Sequence, residues 1–193
     1  MKLVFATNNK NKIKEIESAL NGKIKILSLQ DVGFSDEIPE DYETLEENAF
    51  QKADHIASMF NVNCFADDTG LEIDALNGRP GVYSARYAGA TATADDNLNK
   101  VLEELGSETN RYAKFRTVIS LLINGKQYSF EGAVEGEILL EKTGSEGFGY
   151  DPIFRPMGYA DSFAEMTLVQ KNMISHRGLA VQKLIRFLEN SQV

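Results

Sequence analysis

A single cysteine, Cys64, is present, so no disulfide can form within the chain. Its setting, Asn63-Cys64-Phe65-Ala66, reads as a buried strand, where a lone thiol acts as a small hydrophobe. Cys-x-x-Cys and His-Glu-x-x-His patterns are both missing, which argues against a zinc site. No run of about 18 apolar residues occurs, so no membrane span is expected. The stretch from Met1 to Lys10 is too poor in apolar side chains for a signal peptide, and a cytoplasmic protein is the expectation. Basic patches are lacking as well. The formal net charge is −9, whereas binding along a nucleic-acid backbone needs many cations. Neither a nucleic-acid nor a membrane partner is therefore expected. A small anion is a different matter, because a few local cations and a metal can hold it within an acidic protein.

What remains is an ordinary globular composition: 42% apolar and 25% charged residues over 193 positions. That length fits one domain, residues 1–193, able to bury a core unaided. Lys2 to Ala6 form a short apolar run that ends at Thr7, Asn8 and Asn9, a strand entering a polar loop. Ile13, Ile16 and Leu20 then recur at helical spacing as far as Asn21-Gly22. Residues 24–29 read as a second strand. After an acidic stretch, Thr44-Leu45-Glu46-Glu47 has the form of a capping box and opens a helix carried by Ala49, Ala53, Ile56 and Phe60.

Residues 62–66 read as a buried strand, which Asp67-Asp68-Thr69-Gly70 breaks and Leu71 to Leu76 resume before a turn at Asn77-Gly78. Thr93 to Asp96 cap a further helix. From Ala113 to Ile123 the period becomes two, and Asn124-Gly125 turns the chain into a return strand reaching Ile138. Residues 144–152 form a glycine-rich loop, and the last helix starts near Ser175. Strands alternate with helices while the long hairpin is antiparallel, so an α/β fold with a mixed sheet flanked by helices is predicted.

Four places could carry chemistry. In Thr7-x-Asn9-x-x-Lys12 the polar loop enters a helix, whose free N–H groups favour a phosphate. Lys12 in the first turn opposes the helix dipole, which a bound anion would explain. Asp67 and Asp68 end an apolar run. Magnesium prefers hard oxygen ligands, and a carboxylate beside it can take a proton from attacking water. An aspartate-rich turn has the same appearance. In Gly147-Phe148-Gly149-Tyr150-Asp151-Pro152 the glycines permit close backbone approach, and the Phe148 ring could stack on a base. His176 and Arg177 sit at the start of the last helix, where their charges again oppose the dipole. The other histidine, His55, lies mid-helix and reads as structural.

Together, Thr7-Asn8-Asn9-Lys10-Asn11-Lys12, Glu47-Asn48-Ala49, Ala66 to Gly70, Gly81 to Tyr87, Gly147 to Pro152 and Ser175-His176-Arg177-Gly178 resemble the inosine triphosphate pyrophosphatase, or Ham1, family. The match runs from about residue 3 to about residue 188. The resemblance implies an elongated mixed α/β fold of two lobes around a central cleft. It also implies a homodimer, and a Mg2+-dependent attack of water between the α and β phosphates. The substrates would be non-standard purine nucleoside triphosphates, such as ITP, dITP and XTP, cleaved to the monophosphate and pyrophosphate.

By motif, Thr7, Asn8, Asn9, Lys10, Asn11 and Lys12 correspond to the triphosphate loop. Lys52 corresponds to a lysine near the phosphates and Thr69 to a substrate contact. Glu40 corresponds to a metal-binding glutamate, with Glu37 and Asp41 as acidic neighbours. Asp68 corresponds to the metal ligand and proton acceptor, with Asp67 beside it. Phe148, Gly149, Tyr150, Asp151, Lys171, His176 and Arg177 correspond to the nucleoside side. Two other readings stay open at this point: a Maf-type pyrophosphatase acting on other modified nucleotides, and a nucleotide binder without turnover.

Overall fold

The computed structural model describes residues 2–190. Among them, seven strands make one mixed sheet and five α-helices flank it. The strands are β1 (Leu3–Phe5), β2 (Ile26–Leu27), β3 (Cys64–Ile73), β4 (Pro80–Gly81), β5 (Tyr112–Ile123), β6 (Lys126–Ile138) and β7 (Phe154–Pro156). The helices are α1 (Lys10–Leu20), α2 (Leu45–Phe60), α3 (Ala94–Leu105), α4 (Leu168–Ile174) and α5 (His176–Asn190). The sheet order is β2-β1-β3-β5-β6-β7, with β4 paired to β3. The β1 strand runs parallel to β2 and β3, and the remaining pairs are antiparallel.

Three strands are long, and their length makes the shape. Near one end of β3 and β5, Phe65, Ile119 and Leu121 join Leu3, Ile16 and Leu184 in one hydrophobic cluster. Near the other end, Leu71, Ile73, Ala113 and Phe115 join Leu98, Ile153 and Phe163 in a second. Each cluster is the core of one lobe, and the two lobes share a backbone ladder.

The expected interruption at Asp67 to Gly70 is absent. These residues pair with Ile119 to Arg116 of β5, so β3 is one continuous strand. A ladder is made by backbone groups and continues through polar side chains, provided those side chains find partners. Two further differences concern extent. The strand read over residues 24–29 is reduced to Ile26–Leu27, and the segment after Ile73 becomes a 3-10 turn, Asp74–Leu76. The Thr44 side chain does accept from the Glu47 N–H, but it is the Thr44 hydroxyl, not the Thr44 backbone N–H, that donates to the Glu47 carboxylate. The full reciprocal box is found at Thr93.

Asn124 and Gly125 both take positive φ, as a tight hairpin turn requires. The α4 helix was not anticipated. Its signal was present, since Thr167 and Gln170 form a capping box.

Candidate active site

The β3 strand positions its two aspartates by simple alternation, because successive side chains leave a strand on opposite faces. Asp67 is turned toward α1 and α5, where Lys12 Nζ lies 3.0 Å and Arg177 Nε 3.3 Å from its Oδ2. Asp68 is turned toward α2, where Lys52 Nζ lies 3.0 Å from its Oδ1. The two carboxylates therefore serve different surroundings. Asp68 borders a cleft of about 530 Å³, a usual size for a small-molecule site. Asp67 is buried and does not line that cleft.

On the Asp68 side, Lys52 also pairs with Glu40, and Arg86 holds the other Glu40 oxygen at 3.1 Å. Burial alone would lower the Lys52 ammonium, but Asp68 and Glu40 together hold it above its ordinary value. Burial would raise Glu40, and Lys52 outweighs it to bring that carboxyl below its ordinary value. Asp68 goes the other way: burial, aided by the neighbouring Glu40 charge, keeps it above the usual aspartate range despite Lys52. Of the acids around Glu40, Glu37 lines the cleft without pairing to Lys52, and Asp41 is occupied with Gln51. Glu40 is thus the acid that meets Asp68 through a shared lysine.

Two buried asparagines hold the loops that deliver these groups. Asn48 exchanges hydrogen bonds with both backbone groups of Tyr42, fixing the segment after Glu40. Asn97 accepts from Ala88 N–H and donates to Ala85 C=O, fixing the turn that carries Arg86. Each acts as a substitute ladder for irregular backbone.

On the Asp67 side lies a buried cluster of three acids and three bases. Glu15 receives Lys171 at 2.6 Å and also the Arg177 guanidinium. Lys171 bonds Asp151 at 2.5 Å, and Asp67 takes Lys12 and Arg177. Burial would raise Asp67, but Lys12 and Arg177 hold it well below the usual range. Glu15 carries no motif that marks it in the sequence. Its only sign was a carboxylate beside Ile16 on the buried side of α1. Arg86 was part of a matched segment but had no role assigned.

The triphosphate-loop residues Thr7, Asn8, Asn9, Asn11 and Lys12 line the cleft. Asn9 caps α1, accepting from the N–H groups of Asn11 and Lys12. Asn8 ties this loop to the Glu40 segment through Asp36 C=O. Lys10 is exposed and is not among the lining residues. Thr69, Phe148, Gly149, Tyr150 and Arg177 line the cleft, whereas Lys171, Asp151 and His176 are buried behind it. Lys171 Nζ and the Arg177 guanidinium stand 5.1 Å and 5.6 Å from the Phe148 ring centre. The close approach expected of Gly147 is made to protein. A Cβ there would lie 2.1 Å from Asp151 Oδ2, the oxygen that accepts from Phe148 N–H.

His176 stacks on Phe115, with ring centres 4.5 Å apart. Burial, then Arg177 and Lys171, hold it well below its ordinary pKa. It therefore stays neutral in the fold but gains a proton when unfolded below about pH 6.5. Stability should fall as pH drops from about 6.5, by at most about 1.4 kcal/mol per pH unit from this group. Asp68 and Asp151, both held above the usual range mainly by burial, act in the opposite sense. Urea unfolding at pH 7.5 and 5.5 should show a smaller loss in His176→Phe than in the parent. Equal losses in the two would remove His176 as the cause.

A cleft walled by a helix-capping polar loop on one side and a carboxylate–lysine–carboxylate set on the other belongs to the phosphate-handling α/β enzymes. Comparison with known proteins narrows the class. The Ham1 family model matches residues 3–187, and the chain belongs to that family. A dITP/XTP pyrophosphatase of Flavobacterium johnsoniae is 57% identical over 188 residues, covering 97% of this chain and 98% of that protein. A HAM1 protein structure from Coxiella burnetii superposes with a TM-score of 0.90 at 39% identity, covering 99% of this chain and 100% of that one. The Staphylococcus aureus Ham1 protein gives 0.88 at 39% identity, covering 98% of each chain.

Proposed function

We propose that this chain hydrolyses non-standard purine nucleoside triphosphates, ITP, dITP and XTP, to the monophosphate and pyrophosphate, and so clears them from the nucleotide pool. The full-length similarity to dITP/XTP pyrophosphatases supports this reading over a Maf-type enzyme or a silent binder. The observation that carries the chemistry is Asp68. It is buried at the cleft wall and its Oδ2 has no hydrogen-bond partner among the described residues. A buried carboxylate oxygen left unpaired is costly, and a ligand at the cleft would satisfy it.

A hard divalent cation fits that oxygen. Magnesium sites commonly use one or two carboxylates, with substrate phosphates completing the set. Glu40 and Asp68 are the pair that would hold it, since both line the cleft and Asp67 does not. Charge balance supports the same cofactor. Lys52 and Arg86 face Glu40 and Asp68, two against two, so an arriving triphosphate meets no surplus of positive charge. When bound, Mg2+ would supply that charge and polarise the phosphates.

The polar loop from Thr7 to Lys12 would take the phosphates on Lys12 and on the Asn8 and Lys10 N–H groups, since those of Thr7, Asn9, Asn11 and Lys12 already have acceptors within the chain. The oxygen of a water attacks the α-phosphorus, and the bond to the β-bridging oxygen breaks. Pyrophosphate leaves with the electron pair, and the water proton passes to Asp68. A carboxylate at the cleft wall is placed to accept that proton.

The base would lie toward Phe148 and Arg177. Arg177 spends three N–H groups on Asp67, Glu15 and Thr69, which leaves one on each terminal nitrogen. Those donors suit a 6-oxo purine. An adenine amine would set donor against donor, a mismatch of about 1–3 kcal/mol.

We also propose a homodimer, on the strength of the family resemblance, and a cytoplasmic location, on the sequence reading that expects neither a membrane span nor a signal peptide. Light scattering would show a mass of two chains. No helix among the described residues is long and apolar enough to cross a membrane.

The test is pyrophosphate release from ITP, dITP, XTP, ATP and GTP, with and without Mg2+. Release from the first three, dependent on the metal and about 5- to 150-fold faster than from ATP, is expected. Equal turnover of ATP would sink the base-reading part. Turnover unaffected by chelation would sink the cofactor.

A further inference from the structure

Thr117 stands in the middle of β5, directly opposite Thr69 of β3. It is fully buried. Along the same face of β5, Phe115 belongs to one lobe's core and Ile119 to the other. The Thr117 hydroxyl is thus a polar interruption at the seam between two hydrophobic clusters. A valine would fill the same volume without a buried hydroxyl to satisfy, so the hydroxyl needs an account of its own.

Its partner is Thr69 Oγ1, at 2.6 Å. The direction of that bond follows from counting protons. Arg177 can only donate, and the ionised Asp67 can only accept. Thr69 therefore accepts from Arg177 Nη2 at 3.1 Å and has one proton to give. Given to Thr117, it would leave the Thr117 proton buried without an acceptor. Given to Asp67 Oδ2, 3.1 Å away, it lets Thr117 donate to Thr69, and every proton is placed. The wiring is Thr117 to Thr69 to Asp67, with Arg177 donating into the same oxygen.

We propose that Thr117 is a positioning residue for purine selection: its hydroxyl locks Thr69, and through Thr69 it fixes the Arg177 guanidinium at the base end of the cleft. Thr117 does not line the cleft. The inference rests on the reading of Arg177 as a base-facing donor. A methyl group cannot sit 2.6 Å from an oxygen, so Thr117→Val forces Thr69 to turn and removes one of the guanidinium's three anchors.

The experiment compares kcat/KM for ITP and ATP in the parent, Thr117→Val, Thr117→Ser and Arg177→Lys. Thr117→Val should lower the value for ITP about tenfold, the loss of one charge-assisted hydrogen bond, with little change for ATP. Thr117→Ser should stay within about twofold of the parent. Thr117→Ala, which removes the hydroxyl without the crowding, should lower the ITP-to-ATP ratio in the same direction but by less than valine, and serves if valine fails to fold. Equal losses on both substrates, or no rescue by serine, would mean a merely structural threonine and overturn the proposal. If Arg177→Lys lowers the ITP-to-ATP ratio and the valine and alanine variants do not, the proposal alone fails. If Arg177→Lys leaves the ratio intact, the base-facing reading fails and the proposal with it.

Discussion

Asp68→Asn is expected to lower pyrophosphate release from ITP by about 10³-fold or more while leaving the fold intact. The two halves of this expectation have separate causes. Asparagine keeps the size of the side chain but loses the charge, the free acceptor oxygen and the capacity to take a proton. The fold can lose that charge because the cation left in excess, Arg86 beside Glu40, is about a third exposed and screened by water. Lys52 retains Glu40 as an ion partner, and Asp68 is already held above its ordinary pKa by burial, so its ionised form is an expense to the folded state. A melting temperature equal to or above that of the parent, beside lost turnover, is the predicted pair of results. Turnover within tenfold of the parent would remove Asp68 from the chemistry. A collapsed fold would show that the Lys52 network depends on it.

Glu15→Gln should produce the reverse pattern, with stability as the main loss. Glu15 is buried, and it is the one acid shared by Lys171 and Arg177. Lys12, Lys171 and Arg177 are matched by Glu15, Asp67 and Asp151, three cations against three anions. Removing one anion leaves a positive charge buried without compensation, which costs about 3–5 kcal/mol. In a chain of this length, each kcal/mol moves the melting temperature by about 2–4 °C, so a drop of about 10 °C is expected. A drop of less than about 2 °C would mean that water or side-chain movement compensates, and the cluster would not be the rigid wall described above.

The two substitutions separate the halves of the site, and they also mark the limit of reading it from sequence. Asp68 was legible because a carboxylate pair at the end of an apolar run is a local pattern. Glu15 was not, because its importance lies in meeting Lys171 and Arg177, more than 150 positions away. By motif, Lys171 and His176 correspond to the nucleoside side of the pocket. The structure places both behind the cleft, one between two carboxylates and the other against Phe115. Type and position along the chain identify a cation, but not which anion it is already committed to. Thr117 shows the same limit in reverse. Its place in an alternating run marked it as core, and only its partner across the strand pair gives the hydroxyl a purpose.

By itself, then, the sequence determined the elements with strong local causes: the helices with capped starts, the period-two hairpin at Asn124-Gly125, the polar loop before α1 and the family of the whole. These depend on neighbours within a few positions, where propensity and hydrogen bonding act directly. Only the tertiary structure decided that β3 runs unbroken through Asp67 and Asp68, and that this continuity turns the two carboxylates to opposite faces. Strand pairing is fixed by a ladder to residues some 50 positions away in β5, and long-range pairing leaves no trace in local composition. The same ladder separates Asp68, open to the cleft with Lys52 and Glu40, from Asp67, enclosed by Lys12 and Arg177.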